Sequence, residues 1–122
     1  MSGVLVVLEQ QAGAWNKMTF EALAAGQQLA ASLSLECSAV VLGEGIAALA
    51  AELADKKLTK MFHVEHPLLK NYTADGYVIA LEQVVKQAAP DYVLFPHTYQ
   101  VRDFAPALAT RFRQVLISDV IA

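Results

Sequence analysis

The sequence predicts an α/β domain built on a parallel sheet, and three observations carry that expectation. Short apolar runs without alternation, such as Val4-Leu5-Val6-Val7-Leu8 and Ser38-Ala39-Val40-Val41-Leu42-Gly43, have the character of strands covered on both faces. Longer segments with apolar residues at helical spacing stand between such runs, most clearly from Thr73 to Ala89. This strand–helix order continues through all 122 residues with no repeat, low-complexity segment or linker, so a single domain over 1–122 is expected.

Each element follows from its residues. The first strand ends at Glu9-Gln10, and Gln10 to Asn16 reads as a polar loop holding Gly13 and the only tryptophan, Trp15. A helix is expected from about Thr19, as N-cap with Glu21 in the first turn, to Leu33. Phe20, Leu23, Ala24, Ala30 and Ala31 would give it a small-residue face able to lie close on the sheet. After the second strand, Gly43-Glu44-Gly45 reads as a turn into a helix carrying Ile46, Leu49, Ala50 and Leu53, closed by Asp55-Lys56-Lys57. Lys60-Met61-Phe62-His63-Val64 alternates, as a less buried strand at a sheet edge does.

The helix from Thr73 to Ala89 turns Tyr77, Val78, Leu81, Val84, Val85 and Ala88 toward the core and is stopped by Pro90. Tyr92 to Phe95 is a fourth, buried strand. Phe104, Leu108 and Phe112 fall at i, i+4 and i+8 of a fourth helix, with Pro106 placed in its first turn. Val115-Leu116-Ile117 is the fifth strand. Five strands alternating with four helices predict a three-layer α/β/α, Rossmann-like sheet of order 3-2-1-4-5 with right-handed crossovers. The final Ile121-Ala122 reads as a sheet edge awaiting more chain or a partner.

Composition narrows the function. Hydrophobic residues make up 56% and charged residues 17%, but no window reaches the length of a membrane span. No secretory leader is recognised, so a cytoplasmic location is expected. A net charge of −3 gives no basic face for nucleic acid. The single cysteine, Cys37, reads as a structural thiol.

With order 3-2-1-4-5 the ligand crevice would open between strands one and four, walled by Glu9 to Asn16 and Pro96 to Asp103. Those loops lack G-x-G-x-x-G and G-x-x-x-x-G-K-[ST], and Trp15, Tyr99 and Gln100 are expected to fill the space a nucleotide would need. Arg102-Asp103 is the most functional-looking pair. Asp at a helix start is favoured by the dipole and can cap it, whereas Arg there is disfavoured and calls for an acidic partner. Thr98 lies in the same loop. Arg102, Arg111 and Arg113, spread along one short helix, read as a solvated or subunit-facing surface. Trp15 reads as a loop anchor over the core or an interface residue.

His63 and His66 read as surface histidines, because no third ligand has matching spacing. His97 lacks a recognisable oriented partner and nucleophile, and adjacent Ser118-Asp119 on a strand end would point to opposite faces. No catalytic, cofactor or metal residue is therefore assigned, and no enzymatic constellation is recognised.

Val4 to Glu9, the alanine-rich first helix, Val40 to Gly43, Asp91 to Phe95, Thr98 to Ala109 and Ser118 to Val120 occur in an order and spacing that resembles the N-terminal domain of the electron transfer flavoprotein alpha subunit. The family pattern there is a Thr-containing loop, Gly-Arg/Lys-Asp, an apolar residue, a small residue and Pro. Val101 replaces the glycine, which would reshape the loop if that position needed φ > 0. The resemblance implies an adenine nucleotide alpha hydrolase-like fold and a scaffold domain that packs on the beta subunit of a heterodimer. It further implies electron transfer from dehydrogenases through FAD held by a separate C-terminal domain, with AMP belonging to the beta subunit. No cofactor is then expected on this chain alone.

Two other classes share the fold. A nucleotide-binding module of the universal-stress type would want a Gly-rich phosphate loop before its last helix, which Val101-Arg102-Asp103 does not supply. A small α/β enzyme would need convergent acid, base or nucleophile groups, and only His97 and Asp103 lie in the right loop. Homo-oligomerisation through the surface near strand five and helix four is expected of the chain in isolation.

Overall fold

The computed structural model describes residues 3–53 and 58–112. Its main sheet has four parallel strands: β1 (Gly3–Val7), β2 (Glu36–Gly43), β3 (Lys60–Glu65) and β4 (Tyr92–Leu94). They lie in the order β3-β2-β1-β4, so chain progress reverses between β1 and β4. Val4 stands opposite Cys37 on one side and Tyr92 on the other, which sets the register. The expected order of the first four strands is thus present. Val115–Ile117, Arg113, Ser118-Asp119 and Asp55-Lys56-Lys57 lie outside the described residues.

Four helices cover the two faces. Helices α1 (Met18–Leu33) and α2 (Ala47–Glu52) lie over Val4, Val6, Cys37, Ala39 and Val41. Helices α3 (Ala74–Ala88) and α4 (Tyr99–Arg111) lie over Leu5, Val7, Val40 and Leu42. Successive residues of β1 and β2 therefore feed opposite cores, as the pleat requires, and both strands are buried almost throughout. β3, at the edge, is half exposed, as its alternation predicts.

Several expectations need correction. Tyr92–Leu94 is not a fully buried strand: Tyr92 is exposed and its two neighbours half-buried, because β4 lies at an edge of the described sheet. Helix α1 begins one residue before Thr19, whose hydroxyl is fully buried rather than capping. Its core face is Thr19, Ala22, Leu23, Gly26 and Ala30, while Phe20, Ala24 and Ala31 face outward. The alanines misled the phase, since they suit either side of a helix. Gly26 marks the true line of contact, because a Cβ there would run into Val6 Cγ2.

Pro106 is not in the first turn either. Helix α4 starts at Tyr99, with Thr98 as N-cap, so Pro106 sits well inside it on the exposed side. Its own carbonyl accepts the Thr110 hydroxyl at 2.9 Å. By contrast, the buried positions expected for α2 are met by Ile46, Leu49, Ala50 and Leu53, and those for α3 by Tyr77, Val78, Leu81 and Val84, with Val85 and Ala88 only half-buried. Thr73 caps α3 by accepting from Gly76 N–H at 3.1 Å.

Candidate functional site

The carboxyl ends of β1 and β4 open where the strand order reverses, and an open cleft of about 410 Å³ lies there. Glu9, Gln11, Asn16, Lys17 and Met18 form one wall, and His97 to Gln100 the other. Trp15, Tyr99 and Gln100 do not fill it, contrary to expectation. Tyr99 is 88% exposed, and Trp15 turns away to pack edge-on against Phe20 at 6.4 Å, with its ring half-buried over the α1–α2 core.

The β1 wall is not a simple loop. Gln10–Gln11 pairs with Ala14–Trp15 as a short hairpin whose central residues, Ala12 and Gly13, lie at φ 51° and 81°. Two positive φ values in a two-residue turn are what a hairpin's right-handed twist demands, and Gly13 supplies one without strain. Gln10 holds the hairpin down by donating its side-chain amide to Leu42 C=O at 3.0 Å and accepting from Gly13 N–H.

Glu9 is the pivot of this wall. Its N–H donates to Thr19 Oγ1 at 2.8 Å, and the same hydroxyl donates back to Glu9 C=O at 3.0 Å. Its carboxylate, on a residue only 5% exposed, accepts the Thr98 hydroxyl at 2.6 Å and the Asn16 side-chain amide at 3.3 Å. Thr98 is thereby shared: its oxygen also accepts from Val101 N–H, capping α4. One side chain thus clamps the start of α4 to the end of β1. Sequence reasoning placed Glu9 at the end of a strand and in the crevice wall but gave it no role of its own. The available signal was its place, an acidic residue directly after a doubly buried strand at the reversal of strand order.

Arg102 and Asp103 are brought near the cleft, but not as a cap and an ion pair. Both lie inside the first two turns of α4. Arg102 Nη2 meets His97 Nε2 at 3.2 Å, and its guanidinium stands 6.0 Å from the centre of the Tyr99 ring. Asp103 accepts the Tyr72 hydroxyl at 2.7 Å. Burial first, and then this carboxylate, push the Tyr72 hydroxyl well above its ordinary range. Tyr77 is raised chiefly by burial, with the Glu9 charge adding to it. Val101 is helical and buried, and is not among the positive-φ residues, so replacing glycine there brings no strain.

Arg111 is drawn away from the cleft. It donates to Glu82 at 2.8 Å, and Lys86 stands 3.4 Å from the same carboxylate, so the three tie α4 to α3. His63 and His66 are exposed, and His66 Nδ1 accepts from Leu68 N–H. Among the described residues no group of His, Cys, Asp and Glu could hold a metal ion, and no helix is long and apolar enough to cross a membrane. Burial raises the Cys37 thiol, which suits a structural role.

The α1 side of the cleft offers little to a dinucleotide. At the start of α1, Met18 N–H donates to Asn16 Oδ1, Thr19 N–H to Asn16 C=O and Phe20 N–H to Lys17 C=O. Those donors would form a phosphate cradle in a nucleotide-binding fold, and here they are spent within the chain. The start of α1 therefore offers no free cradle to the pyrophosphate of a flavin dinucleotide.

The electron transfer flavoprotein domain model matches residues 4–122. The chain is 41% identical over 118 residues to the electron transfer flavoprotein subunit alpha of Bacillus subtilis (strain 168), covering 97% of this chain and 36% of that protein. It is 36% identical over 121 residues to the subunit alpha of Syntrophomonas wolfei, covering 99% of this chain and 37% of that protein. The protein FixB of Azorhizobium caulinodans is 34% identical over 119 residues, covering 95% and 32% respectively. The chain thus spans about a third of the length of the curated relatives it matches. With strands, helices and reversal point in place, and a family match over nearly the whole sequence, the chain belongs to the electron transfer flavoprotein domain family, on the alpha-subunit side.

Proposed function

We propose that residues 1–122 form a single scaffold domain of an electron transfer flavoprotein alpha subunit, whose work is assembly with a beta subunit rather than catalysis or cofactor binding. The observation that carries this reading is the family match over 4–122, joined to a cleft at which the first N–H groups of α1 are already occupied. In this reading the sheet has the order 3-2-1-4-5, and the fold is adenine nucleotide alpha hydrolase-like. FAD belongs to the whole alpha/beta protein, which passes electrons from dehydrogenases in the cytoplasm, and is not held by these residues. Trp15, Thr98, Arg102, Asp103, Arg111 and Arg113 are then positions for structure and interface, not for chemistry.

The test is assembly against cofactor binding. Co-expressed with its cognate beta subunit, the chain should co-purify with it, whereas the chain alone should leave FAD fluorescence unquenched. Submicromolar quenching by the isolated chain would overturn the scaffold reading. Sedimentation of the chain without a beta subunit should show self-association, because the apolar surface it presents to a partner would otherwise face water.

A further inference from the structure

We infer that the cleft between β1 and β4 is a seat for an arginine side chain presented by the beta subunit, with the Glu9 carboxylate as its floor. The source of the arginine rests on the alpha/beta reading above; the seat itself does not.

The argument begins with an uncompensated charge. Glu9 is 5% exposed, and the donors that reach its carboxylate, the Thr98 hydroxyl at 2.6 Å and the Asn16 amide at 3.3 Å, are both neutral. The ion pairs among the described residues join Glu82 to Lys86 and Arg111, and neither involves Glu9. A carboxylate withdrawn this far from water is costly unless a cation faces it. Yet it lies at the floor of an open cleft rather than in a sealed core, so a cation can reach it from outside.

The walls favour a guanidinium over other cations. Tyr99, 88% exposed, presents its ring beside the cleft with Arg102 over one face at 6.0 Å, and guanidinium groups stack on aromatic faces. Gln11 supplies a side-chain amide that can accept a remaining N–H group of a planar fork. Arg102 already stands near Tyr99, which shows that the ring is within a guanidinium's reach. A polydentate metal ion is less suited, since no cluster of its ligands exists among the described residues. Lys17 on the rim, and Arg102 beside Tyr99, are like charges that would compete with the incoming arginine.

The seat is tested by titrating L-argininamide into the isotope-labelled chain at low salt and following amide resonances of Glu9, Asn16 and Thr98. Saturable shifts are expected, with neutral citrullinamide and the Glu9→Gln variant each about tenfold weaker, because a charge-assisted bidentate pair is lost. Lys17→Met should tighten argininamide about twofold by removing a like charge from the rim. If Glu9→Gln fails to fold, the argininamide–citrullinamide contrast on the unaltered chain decides alone. Absent saturation, or equal binding of the two ligands, would overturn the seat. In the complex with the beta subunit, Glu9→Gln should weaken assembly about tenfold. Unchanged assembly would overturn the assignment of the arginine to that subunit. A chain that binds argininamide but never joins a beta subunit would uphold the seat and sink the alpha/beta reading instead.

Discussion

The two faces of the sheet are packed in opposite ways. Under α1 and α2 the contact is made by closeness: Ala22, Ala30, Ala39, Cys37 and above all Gly26 let the helix backbone approach Val6. Under α3 and α4 it is made by bulk. Phe104, with no more than 1% exposed, meets Tyr77, Phe95 and Tyr72 at ring distances of 5.7, 5.9 and 6.3 Å. Each face also carries a polar tie near the carboxyl edge whose loss can be tested. Thr19 bridges the Glu9 backbone on the first, fully buried, and Tyr72 reaches Asp103 on the second, at the surface. The contrast teaches that one α/β sheet can be closed by removing atoms on one side and adding them on the other, so the two sides should fail differently.

The bulky face should show the larger loss. Phe104→Ala removes the ring on which three others converge and should cost about 3–5 kcal/mol, read as a fall in the urea midpoint. A loss below about 1.5 kcal/mol would mean the aromatic cluster collapses to fill the gap, and that closeness rather than bulk governs both faces. On the opposite face the buried tie should come next. Thr19→Val keeps the shape but leaves the Glu9 N–H without its acceptor, at about 2 kcal/mol. Thr19→Ser keeps the hydroxyl and should recover at least half of that loss. Equal costs for the two variants would show that the methyl, not the hydroxyl, matters.

Gly26→Ala tests closeness directly, because two effects oppose each other. Alanine gains about 1 kcal/mol of helix propensity over glycine. Its Cβ, however, meets Val6, a fully buried residue with nowhere to retreat, and overpacking of that kind costs about 1–3 kcal/mol. A net loss of about 1–2 kcal/mol is expected, with coupling to Val6→Ala such that the double variant is less destabilised than the sum. A stabilised Gly26→Ala would mean that α1 rides higher on the sheet than its contacts indicate.

The legible and illegible parts of this molecule divide along the same line. Strands β1 and β2 and the helix from Thr73 to Ala89 were readable because Val, Leu and Tyr report burial by type, and periodicity does the rest. The phase of α1 was not readable, since Ala24 and Ala31 on the outside are chemically the same as Ala22 and Ala30 on the inside. Only Gly26, the poorest helix former on the buried side, distinguished them. The location of the cleft followed from strand order alone. Its content did not: the hairpin at Gln10–Trp15 depends on Ala12 adopting positive φ, which its residue type disfavours, and the Glu9–Thr98 bond joins residues 89 apart. The start of α4 was misplaced because Arg-Asp-Phe-Ala-Pro invites a start near the proline, while Thr98 had already capped the helix several residues earlier.

The surface tie should give the smallest effect and the most informative one, because it is linked to protons. Tyr72→Phe removes the 2.7 Å hydrogen bond to the exposed Asp103 carboxylate and the longer 3.4 Å one to Gln100 C=O, and should cost about 1 kcal/mol near neutral pH. Burial and the Asp103 charge raise the Tyr72 hydroxyl above its ordinary value in the folded chain, and burial raises Tyr77 as well. A raised folded-state pKa means that the unfolded chain loses its phenolic proton first. The stabilisation is therefore complete below the unfolded value of about 10 and is lost as pH climbs through the higher folded values. Unfolding midpoints should be flat from neutral pH to about 9 and fall above about 10, with Tyr72→Phe falling less steeply than the unaltered chain. The gap between the two should close as pH rises. Asp103→Asn should also flatten the alkaline slope, because it removes one of the two main causes that raise Tyr72 while leaving burial in place. A gap that stays constant to alkaline pH would show that the Tyr72–Asp103 bond does not distinguish the folded from the unfolded chain. The bulky face would then be held by its rings, the Glu9–Thr98 clamp and the Glu82–Arg111 pair, without help from Tyr72.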